Sequence, residues 1–416
     1  MESVEGPEKT ARYSFIGVDP LSTFRSKRKR VEIDGQSFET ERSYDALRHY
    51  FYSMRCGKTD IAPFCGGLVG YIGYGMVSEF EQIPVMKGDP FPDMQFMVPR
   101  HLVCIDHVAH QTFLITHGNL DELKEAYHSM KETGSSEMLI VDRGTDVDQE
   151  KYEKMVGIAK ENILDGDVFQ IVLSRKVLFD FHGDPLELYS VLRRVNPSPY
   201  MYLLDFGEEK IIGSSPEMLA RLDGRRLTTR PLAGTRPRNP DPEEDEKLKL
   251  EMLLDEKERA EHLMLVDLQR NDMGKVSKAG TVKVTELMNI EKFSHVQHMV
   301  SNIESVLEDD VDAFDAIKAC FPAGTVTGAP KVRAMELIAE YECLARGPYA
   351  GAVGYFDFNG DAGFAITIRS IMIHGYDAFL QAGAGIVHDS VPEKEFIETK
   401  HKMGALLLAL MNREAD

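Results

Sequence analysis

The chain has 416 residues, with 48 lysines and arginines against 68 aspartates and glutamates, so its formal net charge is −20. This charge argues against a nucleic acid or an anionic membrane surface as the main partner, because both bind clustered cations. The five cysteines are scattered without a CxxC pair, and no signal peptide or membrane-spanning run is recognisable, which indicates reduced thiols and a cytoplasmic protein.

The first stretch consists of short apolar runs separated by turn residues. The segment 30–39, with Asp34-Gly35 at its centre, predicts a compact hairpin. The basic run 25–30 is typical of a solvated strand end, with a polyanion site as the less favoured alternative. A polar segment at 143–148 predicts a boundary, so we expect one domain over 1–145 and a second over 146–416.

Helices and strands alternate beyond that boundary. Asp148 predicts the cap of a helix that ends before Gly166, and Pro185 predicts the start of another. The longer segments are a helix over 243–269, strands over 300–306, 352–358, 362–373 and 378–383, and helices over 313–319, 331–341 and 392–411. Antiparallel strand pairs with interspersed helices indicate an α+β fold with large, mainly antiparallel sheets and flanking helices.

Two predicted helices carry glutamates on otherwise apolar faces. Glu258 and Glu261 share a face of the helix 243–269 with leucines, and Glu395 and Glu398 share a face of the last helix. Four carboxylates on two helices suit a hard cation such as Mg²⁺. Salt bridges to neighbouring lysines and arginines are the alternative for either pair alone. A zinc site at His295-x-x-His298 is a weaker alternative.

Several longer motifs resemble those of the chorismate-utilising enzymes, and among them component I of anthranilate synthases. They lie in order along nearly the whole chain: Ala11-Arg-Tyr-Ser-Phe-Ile-Gly17, Phe169-Gln-Ile-Val-Leu-Ser-Arg175, Asn196-Pro-Ser-Pro-Tyr-Met201, Ser214-Ser-Pro-Glu-Met218, Ala233-Gly-Thr-Arg236, Glu261-His-Leu-Met-Leu-Val-Asp267 and Gln381-Ala-Gly-Ala-Gly385. The resemblance implies the chorismate-utilising fold, with an N-terminal domain of the feedback type over 1–145 and a catalytic domain over 146–416. It also implies lyase activity on chorismate and ammonia that yields anthranilate and pyruvate for tryptophan biosynthesis.

The resemblance assigns roles to individual residues. Mg²⁺ is held by Glu261 and Glu398, with Glu258 and Glu395 as further ligands or water holders. The substrate is held by Gly234, Thr235, Tyr349, Arg369, Gly383, Gly385 and Lys402. The catalytic positions are Glu217, His298, Thr325 and Gln170. Without the resemblance, a strand-end charge at Glu217 and a structural histidine at His298 would be the preferred interpretations.

Two positions, Gln170 and Ala233, distinguish branches of the family. Isochorismate and salicylate synthases carry a lysine that activates water where this chain has Gln170. An amide cannot act as the base that activates water. Aminodeoxychorismate synthases typically carry a nucleophilic lysine where this chain has Ala233. Both positions favour anthranilate synthase. The alternatives are an aminodeoxychorismate synthase without that lysine and a catalytically silent tryptophan-binding subunit.

The resemblance also implies a regulator and a partner subunit. A tryptophan feedback site matches Ser3, Pro199, Tyr200 and Met201. Because the chain begins at Met1, close to that site, we expect the first strand of the family to be absent and the feedback to be weakened, or the start codon to be misassigned. The cysteines lie in no G-x-C-x-G motif, so we expect a separate glutamine amidotransferase subunit to supply ammonia.

Overall fold

The structure is a computed structural model that describes residues 1–3, 12–54, 61–129, 137–293 and 296–411. Its strands are β1 (Tyr13–Lys27), β2 (Arg30–Ile33), β3 (Gln36–Glu39), β4 (Gly67–Ile72), β5 (Met94–Asp106), β6 (Gln111–Thr116), β7 (Leu139–Thr145), β8 (Gln170–His182), β9 (Tyr200–Asp205), β10 (Glu209–Ser215), β11 (Met218–Asp223), β12 (Arg226–Thr229), β13 (Leu232–Pro237), β14 (Lys283–Lys292), β15 (Val296–Val306), β16 (Gly328–Ala329), β17 (Ala352–Asp357), β18 (Ala362–Ile366), β19 (Ser370–His374) and β20 (Asp377–Ile386). Its α-helices are α1 (Ser43–Ser53), α2 (Val77–Phe80), α3 (Leu120–His128), α4 (Gln149–Leu164), α5 (Pro185–Val195), α6 (Pro242–Leu254), α7 (Glu256–Gly274), α8 (Ala313–Cys320), α9 (Lys331–Tyr341) and α10 (Pro392–Leu410).

The strands form two antiparallel sheets. The larger, 13-stranded sheet has the order β13-β15-β12-β11-β18-β17-β4-β5-β1-β2-β3, with β14 against β15 and β6 against β5. The smaller, 7-stranded sheet has the order β16-β8-β20-β19-β10-β9, with β7 against β8. The expected α+β fold with large antiparallel sheets is therefore confirmed.

Local signals in the sequence explain several elements. Strands β2 and β3 form the predicted hairpin, with Ile33 opposite Gln36. Helix α4 begins at the predicted cap, where the Asp148 side chain accepts the backbone N–H of Lys151 at 3.0 Å. Gly166 follows its end with a positive φ of 84°, a conformation that glycine adopts without a Cβ penalty.

The predicted continuous helix over 243–269 is wrong. The structure has two helices, α6 and α7, with Asp255 between them in an extended conformation. The Asp255 carboxylate accepts the backbone N–H groups of Lys257 and Glu258 at 3.0 and 3.1 Å, so it caps a new helix. Leu254 is consequently 71 % exposed and does not share the face of the glutamates.

The predicted single strand over 362–373 is also wrong. Strand β18 belongs to the larger sheet and β19 to the smaller one. Arg369, between them, has a positive φ of 49°, which turns the chain out of one sheet and into the other.

The larger sheet runs continuously through strands from both halves of the sequence. Strand β4 pairs with β17 along six residues, from Gly67 opposite Asp357 to Ile72 opposite Ala352. Strands from both sides of residue 145 therefore belong to one sheet. The domain boundary at residue 145 stays a prediction. Within the described ranges, no helix has both the length and the apolar composition needed to cross a bilayer.

Candidate functional site

The chain passes between the two sheets twice at one place. Glu217 lies between β10 of the smaller sheet and β11 of the larger one, and Arg369 lies between β18 and β19. The two crossings are bonded to each other, because Ile366 N–H donates to Glu217 O at 3.0 Å and Ser214 N–H donates to Arg369 O at 3.1 Å. The Ser215 hydroxyl adds a bond to Ile366 O at 2.7 Å. These bonds fix an acid and a guanidinium at the junction of the sheets.

Glu217 is a buried acid, with 4 % of its surface exposed. Burial raises the pKa of Glu217 to about 8, and the nearby Thr325 hydroxyl and the charges of Lys402 and Arg369 offset only part of that rise. The carboxyl is therefore mostly protonated at neutral pH. Its Oε1 atom has no hydrogen-bond partner among the described residues, so it can serve a ligand.

His298 on β15 presents a neutral imidazole. Its Nδ1 atom lies 3.0 Å from Gly234 O and 3.0 Å from Thr235 Oγ1. A carbonyl oxygen can only accept, so we assign the proton to Nδ1 and the lone pair to Nε2. Burial, helped by the positive charge of Arg369, lowers the pKa of His298 to about 4. Nε2 is buried without a partner in the described part of the chain, and it can accept a proton.

Glycines let the backbone approach closely around these groups. Gly234 has a positive φ of 66°, and a Cβ there would lie 2.9 Å from Glu258 Oε2. A Cβ on Gly385 would lie 2.6 Å from Gln170 Nε2, and one on Gly383 would lie 2.9 Å from Leu173 O. Larger residues at these three positions would collide with the predicted site or its backbone.

Lys402 connects the substrate and metal positions predicted from the sequence. Its ammonium donates to Gly383 O at 2.9 Å and forms a salt bridge with Glu398 at 2.8 Å. The same charge acts on the pKa of Glu217 and of Glu261. Tyr349 is buried, and burial raises the pKa of its hydroxyl, so the phenol stays protonated.

The predicted metal ligands lie on α7 and α10 and influence one another. Burial raises the pKa of Glu261, and the negative charges of Glu258 and Glu398 add to that rise. Gln170 Nε2 donates to Glu261 Oε1 at 2.7 Å and counters part of it. Burial and the charge of Glu398 likewise raise the pKa of Glu395. The carboxylates thus repel one another, and a bound cation would offset this repulsion.

The four glutamates are not drawn tightly together. Among the described residues, a different group is compact enough for a metal ion. In this group, formed by Glu208, Glu209 and His374, the possible ligand atoms all lie within 4.8 Å of one another. Glu209 in that group already accepts a hydrogen bond from Arg25 at 2.7 Å, so it is occupied by an ion pair. His295 of the alternative zinc pair lies outside the described residues.

The residues predicted to bind tryptophan lie at the edge of the smaller sheet, where β9 is the last strand. Glu2 bridges Met201 and Ser14, with Glu2 N–H donating to Met201 O at 2.8 Å. The Ser3 hydroxyl is buried without a partner among the described residues. Tyr200 opens β9 directly after Pro199 and pairs with Ser215 on β10.

Three charged residues at the site were not predicted from the sequence. Arg236 donates to Glu258 at 2.9 Å, although the sequence suggested Lys257 or Arg259 as its partners. Arg346 and Glu342 form a buried ion pair behind the substrate positions. The signal for Arg236 was its place next to Thr235, and the signal for Arg346 and Glu342 was their spacing of four residues.

Comparisons with known proteins agree with this geometry. A family described as "chorismate binding enzyme" matches residues 4–408. The chain is 45% identical over 416 residues to anthranilate synthase component 1 of Methanothermobacter thermautotrophicus, covering 99% of this chain and 88% of that one. It is 42% identical over 427 residues to the protein of the same name from Thermus thermophilus, covering 100% and 92%. The crystal structure of anthranilate synthase component I from Streptococcus pneumoniae superposes with a TM-score of 0.87 at 35% identity, covering 95% and 92%.

The raised pKa of Glu217 makes stability depend on pH. The folded chain holds this carboxyl at a pKa of about 8, against 4.5 for an ordinary glutamate, so folding takes up a proton between those values. The associated stability is complete below pH 4.5 and is lost as the pH rises towards 8. Relative to Glu217→Gln, the unfolding free energy of the wild type should fall by about 1.4 kcal/mol per pH unit.

Urea denaturation of both proteins across this range, without added metal, measures the difference. Glu393→Gln, at an exposed position on α10, is the matched control and should follow the wild type. Parallel pH profiles for the wild type and Glu217→Gln would contradict the assignment.

Proposed function

The chain belongs to the family of chorismate-binding enzymes, and we propose that it acts as component I of an anthranilate synthase in tryptophan biosynthesis. It converts chorismate and ammonia into anthranilate and pyruvate. The observation that carries this proposal is the buried junction of the sheets, which combines a protonated acid at Glu217 with a neutral base at His298. The names of the relatives support the same reaction.

The first step needs an acid. Ammonia forms a bond to C2 of the ring while the C4–oxygen bond breaks, and hydroxide is a poor leaving group. Glu217, which is protonated at neutral pH, gives its proton to that oxygen, so the group leaves as water. The added nitrogen then loses its extra proton to become the amine.

The second step needs a base. The ring proton at C2 passes to Nε2 of His298, the C3–oxygen bond breaks, and the ring becomes aromatic. The departing enolpyruvate takes a proton and becomes pyruvate. A pKa of about 4 keeps His298 neutral and its lone pair free before this transfer.

The carboxylates of chorismate are held by positive charge and backbone amides. Arg369 and Tyr349 are both assigned to the substrate. Arg369 suits a planar carboxylate because its guanidinium can donate two parallel hydrogen bonds. Gly383 and Gly385 let backbone N–H groups approach without a Cβ. Gly234, Thr235, Thr325 and Lys402 complete the substrate contacts.

Ammonia, rather than hydroxide, is the nucleophile. Gln170 already donates its amide to Glu261 and cannot act as a base towards water. Ala233 has no group that could form a covalent adduct at C2. Aminodeoxychorismate synthase is the second candidate, since its reaction also aminates chorismate but keeps the enolpyruvyl group.

The carboxylates on α7 and α10 fit a Mg²⁺ ion. They offer oxygen ligands only, and Glu261 is half-buried where the charges of Glu258 and Glu398 oppose its ionisation. Glu261 and Glu398 would hold the ion, with Glu258 and Glu395 beside them. When bound, it supplies positive charge that offsets a substrate carboxylate. Arg236, which pairs with Glu258, then competes with the ion for that ligand.

The ammonia comes from a glutamine amidotransferase subunit, the component II that the name "component 1" of the relatives suggests. The reaction takes place in the cytoplasm, and the buried thiols of Cys104 and Cys320 suit a reducing compartment. Tryptophan binds as a feedback inhibitor at Ser3, Pro199, Tyr200 and Met201. The buried Ser3 hydroxyl supports this site, because it has no hydrogen-bond partner within the described part of the chain.

One assay tests the function. The purified chain with chorismate, Mg²⁺ and ammonium salt should produce anthranilate, followed by its fluorescence. Glu217→Gln should lower kcat by about 10²–10⁴-fold, because an amide cannot donate the proton in the first step. An aminated chorismate that accumulates without fluorescence would favour the second candidate. Absence of turnover would indicate a catalytically silent subunit.

A binding experiment tests the metal site. Mn²⁺, a paramagnetic substitute for Mg²⁺, should bind to the wild type, and Glu261→Gln should weaken binding by at least about tenfold through loss of a charged ligand. Electron paramagnetic resonance measures free Mn²⁺, and Glu393→Gln serves as the control. Loss of binding in Glu209→Gln instead would place the ion at the group of Glu208, Glu209 and His374.

Inhibition by tryptophan tests the regulatory site. Ser3→Leu removes the buried hydroxyl and adds volume, so the tryptophan concentration for half inhibition should rise by about tenfold. Ser37→Leu, on the exposed strand β3, is the matched control. Equal inhibition of both variants would contradict the site, and tight inhibition of the wild type would contradict weakened feedback.

A further inference from the structure

An ion pair lies completely buried behind the substrate positions. Arg346 has 0 % of its surface exposed and Glu342 has 8 %. Arg346 Nε donates to Glu342 Oε2 at 2.8 Å, and Nη2 donates to Oε1 at 2.6 Å. Neither residue has a role in the two reaction steps.

The remaining donors of Arg346 reach two segments that carry substrate residues. Nη1 donates to Val326 O at 2.7 Å, directly after Thr325. Nη2 donates to Val172 O at 2.8 Å, and Val172 lies opposite Gly385 in the pairing of β8 with β20. One rigid guanidinium thus joins the Thr325 loop to the strand beside Gly385.

Glu342 holds the next part of the same wall. Its Oε1 accepts the backbone N–H of Ser174 at 2.8 Å and the Ser174 hydroxyl at 2.7 Å. Ser174 lies opposite Gly383, and its Oγ also accepts Gln381 Nε2 at 2.7 Å. The carboxylate therefore fixes β8 where it faces the second glycine of the substrate wall.

The guanidinium also supports an aromatic residue of the site. Its Cζ lies 5.8 Å from the ring centre of Tyr349 and 4.7 Å from that of Tyr74. Tyr349 follows Arg346 by three residues, so the ion pair fixes the start of the segment that carries it. The four hydrogen bonds that the pair makes to other residues, together with its contact with Tyr349, therefore lead to residues assigned to chorismate or to their neighbours.

We propose that Arg346 and Glu342 are positioning residues that hold the chorismate-binding wall formed by Thr325, Tyr349, Gly383 and Gly385. This role rests on the proposed function. Neither side chain touches the substrate; both set the distances among groups that do. Displacement of such groups by about 1 Å is sufficient to lower turnover or binding by about a hundredfold.

Burial of the Arg346–Glu342 pair also has a free-energy cost that a purely structural role would not explain. Burying two charges is expensive, and well-packed apolar residues of similar volume often stabilise a fold equally well. A bidentate pair with four further hydrogen bonds gives directional control that apolar packing lacks. Geometry, rather than stability, is therefore what the pair contributes.

Glu342→Gln tests this role, because it keeps the shape of the side chain and removes its charge. We expect the KM for chorismate to rise by about tenfold to a hundredfold. Ser174→Ala is a milder variant that leaves both charges in place, and it should raise KM by about threefold in a folded protein. Glu209→Gln is the matched control, since it alters another buried glutamate in an ion pair, that with the partly exposed Arg25 at the start of β10.

The variants are compared by KM, kcat and thermal midpoint. The control should lower the midpoint without changing KM. A lowered midpoint with unchanged KM in Glu342→Gln, or an unchanged KM in Ser174→Ala, would overturn the positioning role. A wild type that produces no anthranilate would contradict the proposed function and this role together, whereas an active wild type with unaltered variants would contradict this role alone.

Discussion

The site depends on two adjacent crossings of the chain between the sheets. A strand that leaves one sheet must give up its ladder of hydrogen bonds, and here the two crossings satisfy each other through Glu217 O and Arg369 O. Their side chains are thereby fixed at a buried junction, where an ionised carboxylate is costly. The same burial that holds the backbone in place keeps Glu217 protonated and His298 neutral.

The overall charge of −20 and an anionic substrate are compatible because the field at the junction differs from that of the surface. Arg369 and Lys402 supply cations there, and both act on the pKa of Glu217. Oε1 of Glu217 and Nε2 of His298 have no hydrogen-bond partner among the residues that the structure describes, so both atoms can bind a ligand. Behind them, Arg346 and Glu342 complete a layer of buried charge that holds the wall of the site.

Much of the fold could be predicted from local signals, and the two errors have different causes. The caps and turns of α4 and the β2–β3 hairpin depend on neighbours in sequence, so they were predicted correctly. The break at Asp255 was hidden because the helical pattern continues on both sides of it. The strand over 362–373 was divided because its halves pair in different sheets, which its apolar pattern does not encode. The motifs predict the site residues, which stay predictions, whereas the bond from Arg346 to Val172 joins residues 174 positions apart that no local pattern relates.

The central claim is that burial keeps the Glu217 carboxyl protonated at neutral pH in the folded chain. The direct test is a ¹³C NMR titration of the side-chain carboxyl carbons in protein labelled at glutamate, with Glu217→Gln to identify the resonance. The structure predicts a midpoint at a pKa of about 8. A midpoint near 4.5, the value of an ordinary glutamate, would contradict it.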